Sequence, residues 1–405
     1  MKKLSILLSL SFLLLLSSCG INNSAGLEKA SPESMGMNSE KLSMVDGIIN
    51  NAIAEGTVPG AVISVVRDGK LVYLKAYGNK SVIPDTVAMT TNTVFDLASV
   101  SKCVGTTLAF MQMVEKGKVR LSDSVAMYIP NYAPWINDTT GERVPVRIIH
   151  LLTHSSGVIP YINMNTFVAK YGEGCPDSLI KHIATETGRR FKPGTDYMYS
   201  CLNFITLQNI LQNITGQKLC DYVQENVFDA LGLKHTCYNP TGEILALCAP
   251  TTVQEDGLPL VGKVHDPIAR RINLGNSGNA GVFSSAEDLA VIAAALMNGG
   301  EINGHRVLGD LTVEKMVTVP VEIAPHIGRA LGWDNRSVAA GIKGDFFHPT
   351  RTICHTGYTG TSMVIDIDSK TAVILLTNRV HPYDVGSVTR LRALVSNVVA
   401  GSIEK

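Results

Sequence analysis

An apolar run with a hydroxyl and an amine at its mouth constrains this chain more than any other stretch. Phe95-Asp96-Leu97-Ala98-Ser99-Val100-Ser101-Lys102 leads into a segment where Val104, Leu108, Met111 and Val114 recur at helical spacing. The spacing predicts a buried helix from Val104 to Val114, entered through Ser99. A helix that starts at Ser99 sets its hydroxyl and the Lys102 amine one turn apart on one face, with Cβ atoms about 5–6 Å apart. That arrangement suits a serine nucleophile activated by a neighbouring amine. Ser178/Lys181 and Ser402/Lys405 repeat the Ser-x-x-Lys spacing, so the pair alone is not diagnostic. Of the three, only Ser99 stands at the mouth of a long apolar helix.

The chain has 405 residues, 45% apolar and 17% charged, which is enough for a substantial core and for two or three lobes. Its formal net charge is zero and it carries no basic stripe, so nucleic acid is not an expected partner. Lys2 and Lys3 precede an apolar run from Leu4 to Leu16, closed by Leu16-Ser17-Ser18-Cys19. A basic start, a short apolar core and small residues predict a secretory signal. The ending resembles a bacterial lipoprotein signal, which implies lipidation at Cys19 and a body tethered to the membrane through it, in the periplasm or at the outer membrane. The run is short for a membrane span. Residues 20–37 read as a linker. Seven further cysteines, an odd number, leave at least one thiol free. No metal-ligand spacing occurs, so neither a metal site nor a cofactor is expected.

In chain order, Asn38 or Ser39 caps an expected helix to about Glu55 with an apolar stripe on Leu42, Val45, Ile49 and Ala52. Ala61–Val66 and Leu71–Tyr77 read as a hairpin about the Asp68-Gly69 turn. His154, in Leu151-Leu152-Thr153-His154-Ser155-Ser156-Gly157, is a possible base but reads first as a residue bonded to backbone. Residues 158–190 show no regular pattern. A Pro193-Gly194 turn precedes Tyr197, Tyr199 and Cys201, then an apolar helix stopped by Gly216. Gly275-Asn276-Ser277-Gly278-Asn279-Ala280-Gly281 lacks the following Lys-Ser/Thr of a phosphate cradle and reads as a loop feeding a helix over Ala286–Met297. Two strands flank Asp368-Ser369-Lys370, and an amphipathic helix ends the chain. This order predicts an α/β (α+β) fold: an antiparallel sheet flanked by helices, with an inserted, mostly helical lobe. No Gly-x-Ser-x-Gly elbow argues for an α/β-hydrolase.

Ser99-Val100-Ser101-Lys102, Tyr199-Ser200-Cys201 behind its Pro-Gly turn, and His355-Thr356-Gly357 before a strand stand in an order that resembles the serine β-lactamase and penicillin-binding-protein superfamily. The likeness is to its class C-like branch of esterases, D-amino peptidases, DD-peptidases and amidases, and spans residues 38–405. It implies a sheet lobe of about 38–112 and 271–405 and a helical lobe of about 113–270. It also implies roles. Ser99 becomes the acylated nucleophile, with Lys102 and Tyr199 as its base system. His355, Thr356 and Gly357 lie on a sheet-edge strand beside it, and the backbone N–H groups of Ser99 and Tyr358 form an oxyanion hole. Which of Lys102 and Tyr199 is the base stays open. For a lysine to act near neutrality its pKa must fall about three units from ~10.4, on the order of 4 kcal/mol.

Two residues depart from the pattern. Cys201 stands where the family often has Asn, and is a weaker donor toward a substrate carbonyl. His355 stands where β-lactamases have a permanently charged Lys. Both argue against efficient β-lactam hydrolysis and leave acyl transfer intact. Tyr77 and Tyr161 begin rival Tyr-x-Asn triplets. The reading is therefore an exported serine hydrolase that cleaves a small ester or amide through an acyl-serine. The alternatives are an acyltransferase that passes the acyl group to an alcohol, a non-catalytic or penicillin-sensing binder, and a cysteine hydrolase built on Cys201 or Cys103 with His154 or His355. Residues 158–190 and 300–350 are expected to line the groove. The sequence carries no indication of oligomeric state.

Overall fold

The alternating residues Ala61 to Val66 place side chains on two faces, and both faces are covered. In a computed structural model, which describes residues 26–335 and 338–404, they form the strand Gly60–Arg67 inside a six-stranded antiparallel sheet. The order across the sheet is Thr352–Thr356, Ser362–Asp366, Thr371–Thr377, Gly60–Arg67, Lys70–Ser81 and Val87–Ala88. Ala61, Ile63 and Val65 join Val373 and Leu375 against Leu42, Val45 and Ile49 of the first helices and Val395 and Val399 of the last. Val62 and Val66 join Ile374 and Leu376 on the other face, against Leu289, Ile292 and Ala293. Ser64, on that second face, donates its hydroxyl to Ala286 O at 2.8 Å, so the polar group is not stranded. Double coverage is why this strand reads as a near-continuous apolar run.

The hairpin turn places Asp68 at φ 44° and Gly69 at φ 77°, the mirror-image geometry that an Asp-Gly pair favours. Asn38 caps the first helix by accepting the Lys41 N–H at 2.9 Å. The single helix expected here is two, Ser39–Ser43 and Val45–Ala54, with a tight turn at Met44 between them. Ala286–Met297 and Thr389–Gly401 are helical. The segment without pattern, 158–190, holds two helices, Met164–Tyr171 and Pro176–Thr185. They are short, and Gly172 (φ 80°) and Gly174 (φ 62°) break the run between them, which hides the periodicity of both.

The reading of 20–37 as a linker is corrected from residue 26 onward. Leu27 and Met37 are buried, Ala30 N–H donates to Leu71 O at 3.1 Å, and Met37 pairs with Ile403. Two apolar anchors and a set of backbone bonds dock this stretch on the body. The signal, Cys19 and residues 20–25 lie outside the described residues. Among the described residues no helix is long and apolar enough to cross a membrane, and all seven cysteines are free thiols.

Because Ile63 is fully buried between sheet and terminal helices while Leu311 is 85% exposed, the two respond differently to truncation. Ile63→Ala is expected to cost about 2–4 kcal/mol and Leu311→Ala less than about 0.5 kcal/mol, read as shifts in the urea midpoint.

Candidate active site

The turn that carries Ser99 is built against resistance. Ala98 sits at φ 45°, a left-handed conformation that costs a side-chain-bearing residue roughly 1–2 kcal/mol. Asp96 holds it there: one carboxylate oxygen accepts Ala98 N–H at 2.8 Å and the other accepts His265 N–H at 2.6 Å. Leu97 N–H is tied to Val282 O at 2.9 Å. The helix beyond is not regular from Ser99 as the spacing predicts. A 3₁₀ turn, Ala98–Val100, runs into a widened π-helical stretch, Lys102–Thr107, before the α-helix Leu108–Glu115. Thr107 Oγ1 bonds Lys102 O at 2.7 Å, which stabilises the widened turn.

This entry buries Lys102 completely. Its Nζ lies 2.9 Å from Ser99 Oγ, 2.7 Å from Asn279 O and 3.6 Å from Cys201 Sγ. It also lies 5.1 Å from the Tyr199 ring centroid. The Ser99–Lys102 pairing therefore exists. The glycine-rich loop read as a simple connector does more, since its Asn279 carbonyl fixes the lysine. Nothing local in the sequence signals a backbone acceptor 177 residues away. Asn279 Nδ2 is buried and has no partner among the described residues.

Tyr199, not its rivals, joins this group. Tyr77 hydrogen-bonds Asp46 at 2.6 Å and Tyr161 hydrogen-bonds Asp266 at 2.8 Å. The Tyr199 hydroxyl is buried without a hydrogen bond among the described residues, and the nearby Lys102 and Ser99 pull its pKa down against the larger upward push of burial. The Pro193-Gly194 turn is stitched to the 154–157 segment by Gly194 N–H to Ser155 O at 2.8 Å and Met198 N–H to His154 O at 3.0 Å. His154 stacks on Tyr199 at 4.3 Å and accepts Ser200 N–H on Nδ1 at 3.1 Å. Burial, then Arg329 and Lys102, keep it neutral far below the usual histidine range. It is a wall behind Tyr199, sealed from the cleft.

The charge on Lys102 depends on its neighbours. Burial opposes it, but Cys201 and Tyr199, where they are anionic, outweigh burial and raise the ammonium above the ordinary lysine value. Burial also raises both of those groups, so near neutrality they are thiol and phenol. Without their negative charge, desolvation acts on Lys102 and favours the free amine. A free amine has two N–H donors, matching Asn279 O and Cys201 Sγ, and a lone pair left for the Ser99 hydroxyl.

His355 and Thr356 end the edge strand Thr352–Thr356. Gly357 follows so close to the turn that carries Ser99 that a Cβ on it would meet Thr361 Oγ1 at 2.0 Å and Leu97 O at 2.4 Å. The His355 Nδ1–H donates to Thr356 O at 2.9 Å, and its Nε2 faces Arg329 Nη2 at 3.5 Å. Burial first, then Arg329 and Lys102, hold this imidazole neutral. Arg329, buried and paired with Asp334 at 2.9 Å, had no signal in the sequence. The Tyr358 N–H donates no hydrogen bond among the described residues.

These residues open on a cleft of about 680 Å³. Its walls come from Tyr197 and Tyr199, from Arg329 and Asp334, and from segments 354–358 and 379–392. Of the two regions expected to line it, 300–350 contributes through Arg329 and Asp334, and 158–190 does not contribute. A cysteine nucleophile does not fit: Cys103 is buried against Gly332 O, and burial pushes the Cys103 and Cys201 thiols up. Among the described residues no cluster of metal-ligating side chains occurs.

Known proteins resemble this chain in sequence and fold. The Beta-lactamase family model matches residues 45–397. A protein of Escherichia coli (strain K12), provisionally named a D-alanyl-D-alanine carboxypeptidase, is 31% identical over 380 residues, covering 88% of this chain and 86% of its own. A Salmonella agona (strain SL483) protein of the same name is 31% identical over 379 residues, with the same coverage of the two chains. Among solved structures, EstCE1, a hydrolase with promiscuous acyltransferase activity, superposes with a TM-score of 0.72 at 24% identity, over 89% of this chain and 99% of that one. A penicillin-binding protein homologue from Pyrococcus abyssi gives 0.66 at 22%, over 87% and 76%. These two are likenesses of fold.

Burial raises Asp96 to about pKa 6, so folding penalises its ionised form. That penalty is absent below the ordinary aspartate value of ~3.9 and complete above about 6. Asp96→Asn, which cannot ionise, is therefore expected to gain on the wild type as pH rises. Between pH 5 and 8 the stability difference should shift toward the variant by about 1–2 kcal/mol, read from urea midpoints at the two pH values.

Proposed function

The chain belongs to the β-lactamase family and is a serine hydrolase of that fold, and from this footing we propose that it is an exported enzyme that cleaves D-alanyl peptide termini through an acyl-Ser99 intermediate. The observation that carries the proposal is the 2.9 Å contact between Ser99 Oγ and a buried Lys102 at the floor of an open cleft. Lys102, as the free amine, takes the hydroxyl proton as Oγ bonds the substrate carbonyl carbon. The oxygen of that carbonyl becomes an anion met by the backbone N–H of Tyr358 and of Ser99. Tyr199, kept as a phenol by burial, faces both Lys102 and Ser99 and hands a proton to the departing amine while recovering one from Lys102. Water then attacks the acyl-serine by the reverse proton path, releasing the acid and restoring Ser99.

Two observations support an anionic peptide substrate. The cleft is lined by three arginines, Arg329, Arg379 and Arg392, against two aspartates, Asp334 and Asp384, with His355 neutral. The relatives that match over most of the chain bear the carboxypeptidase name. Release of D-alanine from a peptide ending in D-alanyl-D-alanine, and not from its L-alanyl counterpart, is the expected result. A new ester formed when an alcohol is added would instead favour acyl transfer. Lys102→Met and Tyr199→Phe are each expected to lower kcat by about 10²–10⁴-fold, with Tm unchanged or raised in the first because a buried amine is removed.

Export and anchoring rest on Lys2, Lys3, the Leu4–Leu16 run and Cys19. The full chain expressed in a bacterium is expected to incorporate labelled palmitate and to sediment with membranes, and Cys19→Ala to lose both. A soluble, unlabelled wild type would remove the anchor from this account.

A further inference from the structure

Arg392 presents a problem that the reaction above does not explain. It lies on the C-terminal helix, is 7% exposed, and has no carboxylate partner among the described residues. Burial, together with Arg379, lowers it to about 10. A buried cation without a counter-charge is unfavourable unless its donors are used elsewhere. They are used on two carbonyls: Nη2 donates to Gly357 O at 3.0 Å and to Thr361 O at 2.8 Å.

Gly357 O belongs to the peptide plane that carries the Tyr358 N–H. The Gly357–Tyr358 bond is trans, since the cis bonds lie at Ile83-Pro84 and His381-Pro382. In a trans peptide the carbonyl and the N–H point in opposite directions. Drawing Gly357 O toward Arg392, with Gly360 N–H adding a second bond at 3.1 Å, turns the Tyr358 N–H away from Arg392. That N–H donates to nothing among the described residues.

The next peptide plane is held as firmly. Arg379 grips Tyr358 O through Nε at 3.2 Å and Nη2 at 2.7 Å. Its Nη1 pairs with Asp384 at 3.0 Å, and Asp384 accepts the Tyr358 hydroxyl at 2.6 Å. The loop bearing Asp384 is fixed in turn: Asn378 donates to Asn79 O and Lys80 O, and His381 accepts Val82 N–H at 3.0 Å.

We propose that Arg392 is a positioning residue of the oxyanion site, which aims and polarises the Tyr358 N–H through the shared Gly357–Tyr358 peptide, with Arg379 as a second brace on the following plane. A cation bonded to the carbonyl of an amide draws electron density from its N–H and strengthens that donor. The uncompensated charge thus serves the state in which an anion forms on the other side of the peptide. This rests on the acyl-Ser99 reading and assigns Arg392, whose charge also lines the cleft, a role exerted through the peptide.

The test compares wild type with Arg392→Met, Arg392→Lys and Arg379→Met. The substrates are an uncharged p-nitrophenyl ester and a D-alanyl-D-alanine peptide, and Tm is followed in parallel. A phenylboronic acid provides the second readout. Boron accepts the Ser99 oxygen lone pair, the serine proton passes to the Lys102–Tyr199 pair, and a tetrahedral boronate anion results. For Arg392→Met we expect kcat on the neutral ester to fall by about 10–100-fold, less than the ~10²–10³-fold of losing an oxyanion donor outright, with KM changed less than about threefold. Boronate affinity should fall in proportion to kcat, and Arg392→Lys should recover part of both. Arg379→Met should show the same pattern more weakly. An unchanged neutral-ester kcat with a raised KM for the peptide alone would overturn the proposal and make the arginine a substrate contact. A fall in kcat with boronate affinity intact, or one matched by a collapse in Tm in all three variants, would reduce it to a structural role. Wild-type protein without turnover that depends on Ser99 would overturn the acyl-serine reading and this inference with it.

Discussion

A single amine without access to water sets the terms for the rest of the molecule. Lys102 is fully buried, and an amine in that position is sustained only by hydrogen-bond partners. The fold supplies Ser99 from its own turn and two partners from distant segments, Cys201 at the start of the Cys201–Thr215 helix and Asn279 from the glycine-rich loop. Each contact demands a structural concession. The helix after Ser99 widens, Ala98 adopts a left-handed backbone, and the loop passes close enough to lend a carbonyl. The irregular features of the chain gather where Ser99 meets Lys102, and a regular helix there would leave the amine misplaced or exposed.

Local pattern made part of this legible. The two-faced strands, the Asp68-Gly69 turn, the Asn38 cap and the Ala286–Met297 helix are written in neighbouring residues, and each forms where the spacing puts it. The Ser-x-x-Lys pair and the Tyr199 turn were likewise readable, because a helix mouth and a Pro-Gly turn are local. What the sequence hides depends on contacts between remote segments. Asn279 acts through its backbone, which carries no residue-specific signal. Arg329 and Arg392 look like ordinary surface arginines until the fold buries them. The short helices at 164–185 are separated by glycines that break the period, and the stretch from Gly26 to Met37 lacks a pattern of its own yet docks through two apolar side chains. The charge state of Lys102 is hidden for a related reason: it depends on whether Cys201 and Tyr199 are ionised, which is a property of the assembled group.

The two departures from the family pattern, Cys201 and His355, have different consequences. Cys201 is a soft partner for Lys102 and leaves the Nδ2 of Asn279 without a partner among the described residues, while its Oδ1 accepts the Ser277 hydroxyl at 2.7 Å. His355 is held neutral, so the positive charge of the cleft resides on arginines set around it, one of them spent on backbone carbonyls. In the proposed reaction the serine, amine and phenol are kept, while the residues around them depart from the family pattern.

The central claim is that Ser99 becomes covalently acylated. Protein lacking residues 1–19 would be mixed with a p-nitrophenyl ester, quenched in acid, digested and mapped by mass spectrometry, with Ser99→Ala in parallel. The account predicts one adduct, of the mass of the acyl group, on the peptide that contains Ser99, and its loss in the variant. An adduct that persists in Ser99→Ala would place the nucleophile elsewhere and contradict the account at its base.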